Sequence, residues 1–221
     1  MLLARAPCSG CRFGSPVQGL ERARPAPLRA SAVAAIATPH PDICEVLLTR
    51  EKIAERVTEV GKELAVEYAD KRPLVIGTLK GAIVFMSDLV RAIEPVPEGL
   101  QLEFLRASSY GNSTVSAGKV DLRSTAAVEN VVGRHVLLVE DIVDSGRTAA
   151  KLLRHYQDAG AASVKLVSLL SKPSRREVHV EPDYCCFDVP DYFVVGFGLD
   201  YNELYRSLPY IGVLKPECYS S

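Results

Sequence analysis

The sequence predicts an α/β fold built on a doubly wound parallel sheet. Two observations point there. From about Ile43 onward, short apolar runs alternate with longer segments whose apolar residues recur at helical spacing, the order expected of parallel strands joined by crossover helices. In addition, the small residues Ser145, Gly146 and Thr148 stand between an apolar strand and a helix, where parallel sheets hold their ligands.

The elements follow in order. Thr49 is a candidate N-cap, and Ile53, Val57, Val60 and Leu64 recur behind it as one face of a helix. Pro73–Leu79 is a short apolar strand, and Gly81–Ile93 a buried helix. Leu100–Ala107 alternates with period two, as a half-buried strand does. Ser108–Gly118 is rich in Ser and Gly and predicts a long loop, a kind that in compact domains usually serves function. His135–Glu140 is the next strand, Gly146–Gly160 the next helix, and Ser163–Leu170 another strand. Tyr184–Pro190 and Tyr192–Gly198 read as short strands, and no internal repeat is visible.

Composition sets the outer limits. The chain has 221 residues, 48% hydrophobic and 24% charged, enough for one domain with a full core. A net charge of −1 argues against holding nucleic acid as a main task. No run of eighteen apolar residues is present, so no membrane-spanning helix is expected. Of the six cysteines, Cys8 and Cys11 form a CxxC, but no second pair or paired histidines follow, so a zinc site is not expected. Cys44, Cys185, Cys186 and Cys218 suggest no disulfide framework, which predicts a reduced, intracellular protein. His135, His155 and His179 carry no motif.

Residues 1–40 differ from the rest. They hold Arg5, Arg12, Arg22, Arg24 and Arg29 against one acid, Glu21, and are rich in Ala, Pro and Ser. No continuous apolar core of a secretory signal is present. This composition predicts a disordered organelle transit peptide, plastid before mitochondrion, with a cytoplasmic protein as the alternative. Residues 41–221 form the folded domain on this reading.

The stretch Val136–Ala149, VLLVEDIVDSGRTA, carries the chemistry. Backbone N–H groups at the start of a helix, with the hydroxyls of Ser145 and Thr148, suit a phosphate. Glu140, Asp141 and Asp144 would repel one. Glu140 and Asp141 can instead take ribose hydroxyls or a hydrated Mg²⁺. The pattern therefore predicts a phosphorylated sugar that carries a metal. GxxxxGK[ST] is absent, and GFGLDY at Gly196–Tyr201 lacks the third glycine of a dinucleotide fingerprint.

On these residues the stretch resembles the signature of the phosphoribosyltransferases, which bind 5-phosphoribosyl 1-diphosphate. Leu79–Gly81, Ser108–Gly111, Ser171–Val178 and Pro190–Gly212 look like the hypoxanthine-guanine members, the bacterial type above all. The resemblance runs from about Ile43 to Leu214. It implies the type I phosphoribosyltransferase fold, with a small hood formed from terminal segments, and Mg²⁺ as cofactor. It implies transfer of the phosphoribosyl group to a 6-oxopurine, hypoxanthine or guanine, in a homodimer or homotetramer. Residue by residue, it implies Asp144 as general base toward the purine N7 and Glu140 and Asp141 at the ribose hydroxyls and metal. Asp200 would be a second metal contact through the diphosphate side, and is counted with the base-binding residues. Ser145, Gly146, Arg147 and Thr148 would hold phosphate. Lys80, Gly81 and Arg206 would hold diphosphate, with a cis bond before Lys80. Lys172 would donate to the purine O6, Phe193 would stack on the ring, and Val194 would offer its backbone to the 2-position. Ser109 and Tyr110 would belong to a mobile loop that closes over the reacting centre. A phosphoribosyltransferase for xanthine or adenine, and a regulator that binds phosphoribosyl diphosphate without catalysis, remain open.

Overall fold

The computed structural model describes residues 39–108, 121–124 and 131–220. The expected loop at Ser108–Gly118, with Ser109 and Tyr110, and the expected transit segment lie outside the described residues, apart from Ser108, Pro39 and His40.

The chain begins with β1 (Ile43–Leu48) and α1 (Arg50–Glu67). Thr49 caps α1 as predicted, its hydroxyl accepting from the Lys52 N–H at 3.4 Å. Then come β2 (Leu74–Leu79), α2 (Ile83–Ala92), β3 (Gln101–Ser108) and β4 (Asp121–Ser124). The second half holds β5 (His135–Val143), α3 (Arg147–Asp158), β6 (Ser163–Ser171), β7 (Tyr184–Asp188), β8 (Val194–Val195) and β9 (Ile211–Leu214).

The main sheet has six strands in the order β4-β3-β2-β5-β6-β7. Its strands β3, β2, β5, β6 and β7 are parallel, and β4 runs antiparallel on the edge. Successive residues of β5 face opposite sides. Leu137 and Val139 pack with Val57, Leu64, Phe85 and Leu89 of α1 and α2. Val136 and Leu138 pack with Ala149, Leu152 and Tyr156 of α3. Both faces are covered, which is why β2, β5 and β6 read as apolar runs rather than alternations. The sequence-predicted doubly wound sheet is therefore the observed fold.

A second sheet, β1-β9-β8, joins the first strand of the domain to the last. It encloses a small core of Ile43, Val195, Tyr210 and Leu214, which is the expected hood from terminal segments.

Three element boundaries differ from expectation. β5 continues three residues past Glu140, because its ladder with β6 runs on to Val143↔Ser171. The run Tyr192–Gly198 yields only a two-residue strand, because Gly196 (φ 101°), Phe197 (φ 49°) and Gly198 (φ 106°) leave the extended region. β1, β4 and β9 were not expected at all.

The strand order places a switch point. From β2 the chain passes through α2 to β3 on one side. From β5 it passes through α3 to β6 and β7 on the other. The carboxyl ends of β2 and β5 thus frame a crevice that no crossover fills.

Candidate active site

The phosphate loop begins where β5 ends. Gly146 stands at the N-cap of α3 with φ 81°, and a Cβ there would lie 2.9 Å from Arg176 Cδ. Glycine meets both demands. No acidic side chain occupies the first turn of α3. A cavity of about 180 Å³ is lined by residues 140–146 with Thr148 and Ala149, and it opens at this helix end. Ser145 and Thr148 are thus placed where a phosphate can use their hydroxyls. Arg147 is placed differently: its side chain is exposed and forms an ion pair with Glu177, Nε to Oε2 at 2.6 Å. It does not line this cavity, so only its backbone lies at the loop.

Two neighbouring acids, Glu140 buried and Asp141 half-buried, stand beside that loop. Glu140 Oε2 accepts from Thr78 Oγ1 at 2.5 Å, while Oε1 is buried without a partner among the described residues. Burial, and then the neighbouring Asp141, push the Glu140 carboxyl up to about 8. Asp141 Oδ1 accepts from the Ile142 N–H at 2.8 Å. Burial raises its carboxyl too, the Ile142 N–H and Arg206 working against it. Gly81 makes this arrangement possible, since a Cβ there would lie 1.6 Å from Asp141 Oδ2. The peptide bond Leu79–Lys80 is cis.

The expected metal set is not assembled as a protein cage. Among the described residues no group of three or more His, Cys, Asp or Glu stands ready to hold a metal ion. The reason is local: Asp200 Oδ1 lies 2.7 Å from Arg206, and its Oδ2 accepts from the Glu203 N–H at 2.8 Å. The carboxylates nevertheless suit Mg²⁺, which keeps its waters and takes one or two protein carboxylates with substrate phosphates. The orphaned Glu140 oxygen and the raised pair mark a place short of positive charge.

The expected diphosphate cations lie across the crevice. Lys80 Nζ pairs with Glu203 Oε2 at 2.8 Å. Arg206 donates to the Gly198 carbonyl at 2.8 Å, and its Nε is buried without a partner among the described residues. A larger cavity of about 600 Å³ shares Arg206 but none of the β5 acids; it lies between α1, α2 and residues 206–209.

The expected base side stands at the end of β6. Lys172 is 8% exposed. Its Nζ donates to the Tyr192 carbonyl at 2.7 Å and lies 3.5 Å from Asp191. Phe193 stacks on Tyr219, with ring centroids 4.7 Å apart and planes at 20°, and meets Tyr201 edge-on. Val194 pairs with Val213 in the small sheet. Asp144 is half-buried and accepts from Arg175 Nε at 2.7 Å. Arg176 donates to the carbonyls of Val143 and Asp144 at 2.8 and 2.5 Å and to Ser171 Oγ at 2.8 Å. Sequence reasoning assigned no role to Thr78, Arg175, Arg176, Asp191, Glu203 or Tyr219. Arg175 and Arg176 lay inside the Ser171–Val178 stretch, where two adjacent guanidiniums beside a strand end were the available signal.

A doubly wound sheet with acids and a phosphate loop at its switch point defines a nucleotide-type transferase or binder, and the comparisons narrow the class. The phosphoribosyl transferase domain family matches residues 45–202, and the chain belongs to that family. Hypoxanthine-guanine phosphoribosyltransferase of Bacillus subtilis is 49% identical over 180 residues, 81% of this chain and 98% of the relative. The bifunctional protein TilS/HprT of Listeria monocytogenes is 50% identical over 183 residues, 82% of this chain, but the match spans only 27% of that longer relative. A solved hypoxanthine phosphoribosyltransferase of Staphylococcus aureus superposes with a TM-score of 0.75 at 41% identity, covering 81% of this chain and 96% of that one.

Proposed function

We propose that the protein is a purine-salvage enzyme. It transfers the 5-phosphoribosyl group from phosphoribosyl diphosphate to hypoxanthine or guanine, giving IMP or GMP and diphosphate. The observation that carries this reading is the pairing of the Glu140–Thr148 stretch with Lys172 on adjacent strand ends, in a chain about half identical to enzymes of that name.

The 5-phosphate sits on the N–H groups that open α3, with the hydroxyls of Ser145 and Thr148. Glu140 and Asp141 accept from the ribose hydroxyls. Lys80 and Arg206 turn from Glu203 and Asp200 to the diphosphate. Asp141 and Asp200, with Glu140 beside them, would hold Mg²⁺, which supplies neutralisation of the diphosphate charge. Lys172 donates to O6. An amine there favours a 6-oxo over a 6-amino purine, whose own amine would leave donors unpaired. Phe193 offers an aromatic face to the ring, and Val194 its backbone to the 2-position. N9 bonds to ribose C1 as the C1–O bond breaks and its electron pair leaves with diphosphate. The N7 proton passes to Asp144.

The active form is placed as a homodimer or homotetramer, as the resemblance implies; a single-chain mass by light scattering under assay conditions overturns this. The first forty residues are placed as an organelle address on their arginine-rich, acid-poor composition. A product assay with hypoxanthine, guanine, xanthine and adenine, each with phosphoribosyl diphosphate and Mg²⁺, tests the function. Nucleotide is expected from the first two. No nucleotide from any base overturns the reading.

A further inference from the structure

Asp144 has one oxygen engaged and one open. Arg175 Nε donates to Oδ1 at 2.7 Å, and Oδ2 has no hydrogen-bond partner among the described residues. The same guanidinium reaches Asp191, NH1 lying 3.4 and 3.3 Å from its two oxygens. Asp191 Oδ1 in turn lies 3.5 Å from Lys172 Nζ. One guanidinium and one carboxylate therefore connect the residue placed at N7 with the residue placed at O6.

Arg175 is held where it can do this. It ends the short helical turn Pro173–Arg175 that follows β6, and its N–H donates to the Lys172 carbonyl at 3.1 Å. The next residue, Arg176, pins the turn to the carbonyls of Val143 and Asp144. The turn is thus fastened to the strand end that carries Asp144. The side chains of Arg175, Asp144 and Asp191 are 49%, 43% and 51% exposed, so these ion pairs contribute little to folding stability. Their effect is geometric. A base works best when a third group fixes its orientation. A planar fork that engages two acids at once fixes a carboxylate in a way a single ammonium does not.

We infer that Arg175 is a positioning residue for Asp144: it holds Oδ1, turns Oδ2 to the purine, and is itself aligned by Asp191. This rests on the proposed 6-oxopurine transfer. The proton taken from N7 goes to Oδ2, and the Arg175 bond to Oδ1 is kept before and after.

The test is a double-mutant cycle on the full chain, with kcat and purine KM measured for Arg175→Ala, Asp144→Asn and the double variant. Arg175→Ala is expected to lower kcat about tenfold with purine KM within about twofold, the signature of an interaction needed mainly in the transition state. In the Asp144→Asn background the same change is expected to alter kcat less than about twofold, because the group it positions is no longer a base. Arg175→Lys should restore part of the loss, and Asp191→Asn should reproduce part of it; a purely structural role predicts neither. These two variants also serve should Arg175→Ala fold poorly. Unchanged kcat in Arg175→Ala, or a tenfold loss that persists in the double variant, overturns the inference while leaving the transferase reading intact. A wild-type protein with no 6-oxopurine transfer overturns both.

Discussion

Gly81 has a hydrogen where other residues have a Cβ, and Asp141 uses that space. Alanine there would place its Cβ 1.6 Å from Asp141 Oδ2, and the opposing carbonyl contact to Gly198 leaves the loop little room to retreat. Gly81→Ala should therefore cost about 1–3 kcal/mol in urea unfolding, the range for overpacking, and abolish binding of phosphoribosyl diphosphate by calorimetry. Normal binding would mean that the Asp141 side of the crevice is not the sugar site. Asp144 and Lys172 separate in kinetics. Asp144→Asn keeps the shape but removes the base, so kcat should fall about 10²–10⁴-fold while phosphoribosyl diphosphate still binds. Lys172→Ala removes a contact made in ground and transition state alike, so purine KM should rise more than kcat falls. Near-normal kcat in Asp144→Asn would remove it from the mechanism. At this scale the sequence exposed the acids and the phosphate loop, because they are contiguous. It hid their partners. Asp144 meets Arg175 across 31 residues, and Lys80 meets Glu203 across 123, distances over which spacing carries no signal.

Elements were legible where they bury an apolar face and less so where they do not. α1 announced itself by Ile53, Val57, Val60 and Leu64 behind Thr49, and all four are buried. Thr49→Ala should lower stability by about 1 kcal/mol, read as a lower urea midpoint at unchanged slope, with activity kept. A change in slope would mean that the substitution alters the unfolded or native ensemble rather than the cap. β4, Asp-Leu-Arg-Ser, has a single apolar residue and exists by pairing with β3 at the sheet edge. β1 has its partner β9 near the other end of the chain. The tail of β5 was missed because Glu140 and Asp141 interrupt its apolar run, although the ladder to β6 continues through them. The acids thus belong to the strand itself, which fixes their backbone more firmly than a loop would.

At the scale of the molecule, the switch point and the small sheet converge on one crevice. Its acids are short of positive charge, Glu140 being pushed up to about 8 by burial and Asp141. Chelating divalent cations should therefore abolish turnover, and Mg²⁺ should restore it; full activity in chelator would sink the metal assignment. The compact unit begins at Pro39, the His40 N–H donates to Tyr210 Oη at 2.8 Å, and β1 follows as the outer strand of the small sheet. Removing residues 1–38 should leave activity and melting temperature nearly unchanged. Removing residues 1–48 deletes β1, strips Ile43 from Leu214 and Val195, and should lower the melting temperature and weaken purine binding, since Val194 lies on the same sheet and Phe193 directly precedes it. If the shorter cut already destabilises the protein, the tail is part of the fold. A fluorescent protein fused behind residues 1–40 should enter a plastid or mitochondrion, because five arginines against one acid make a charged address rather than a core. A fusion that stays in the cytosol, beside an active protein lacking residues 1–38, would leave the enzyme reading standing and remove the address.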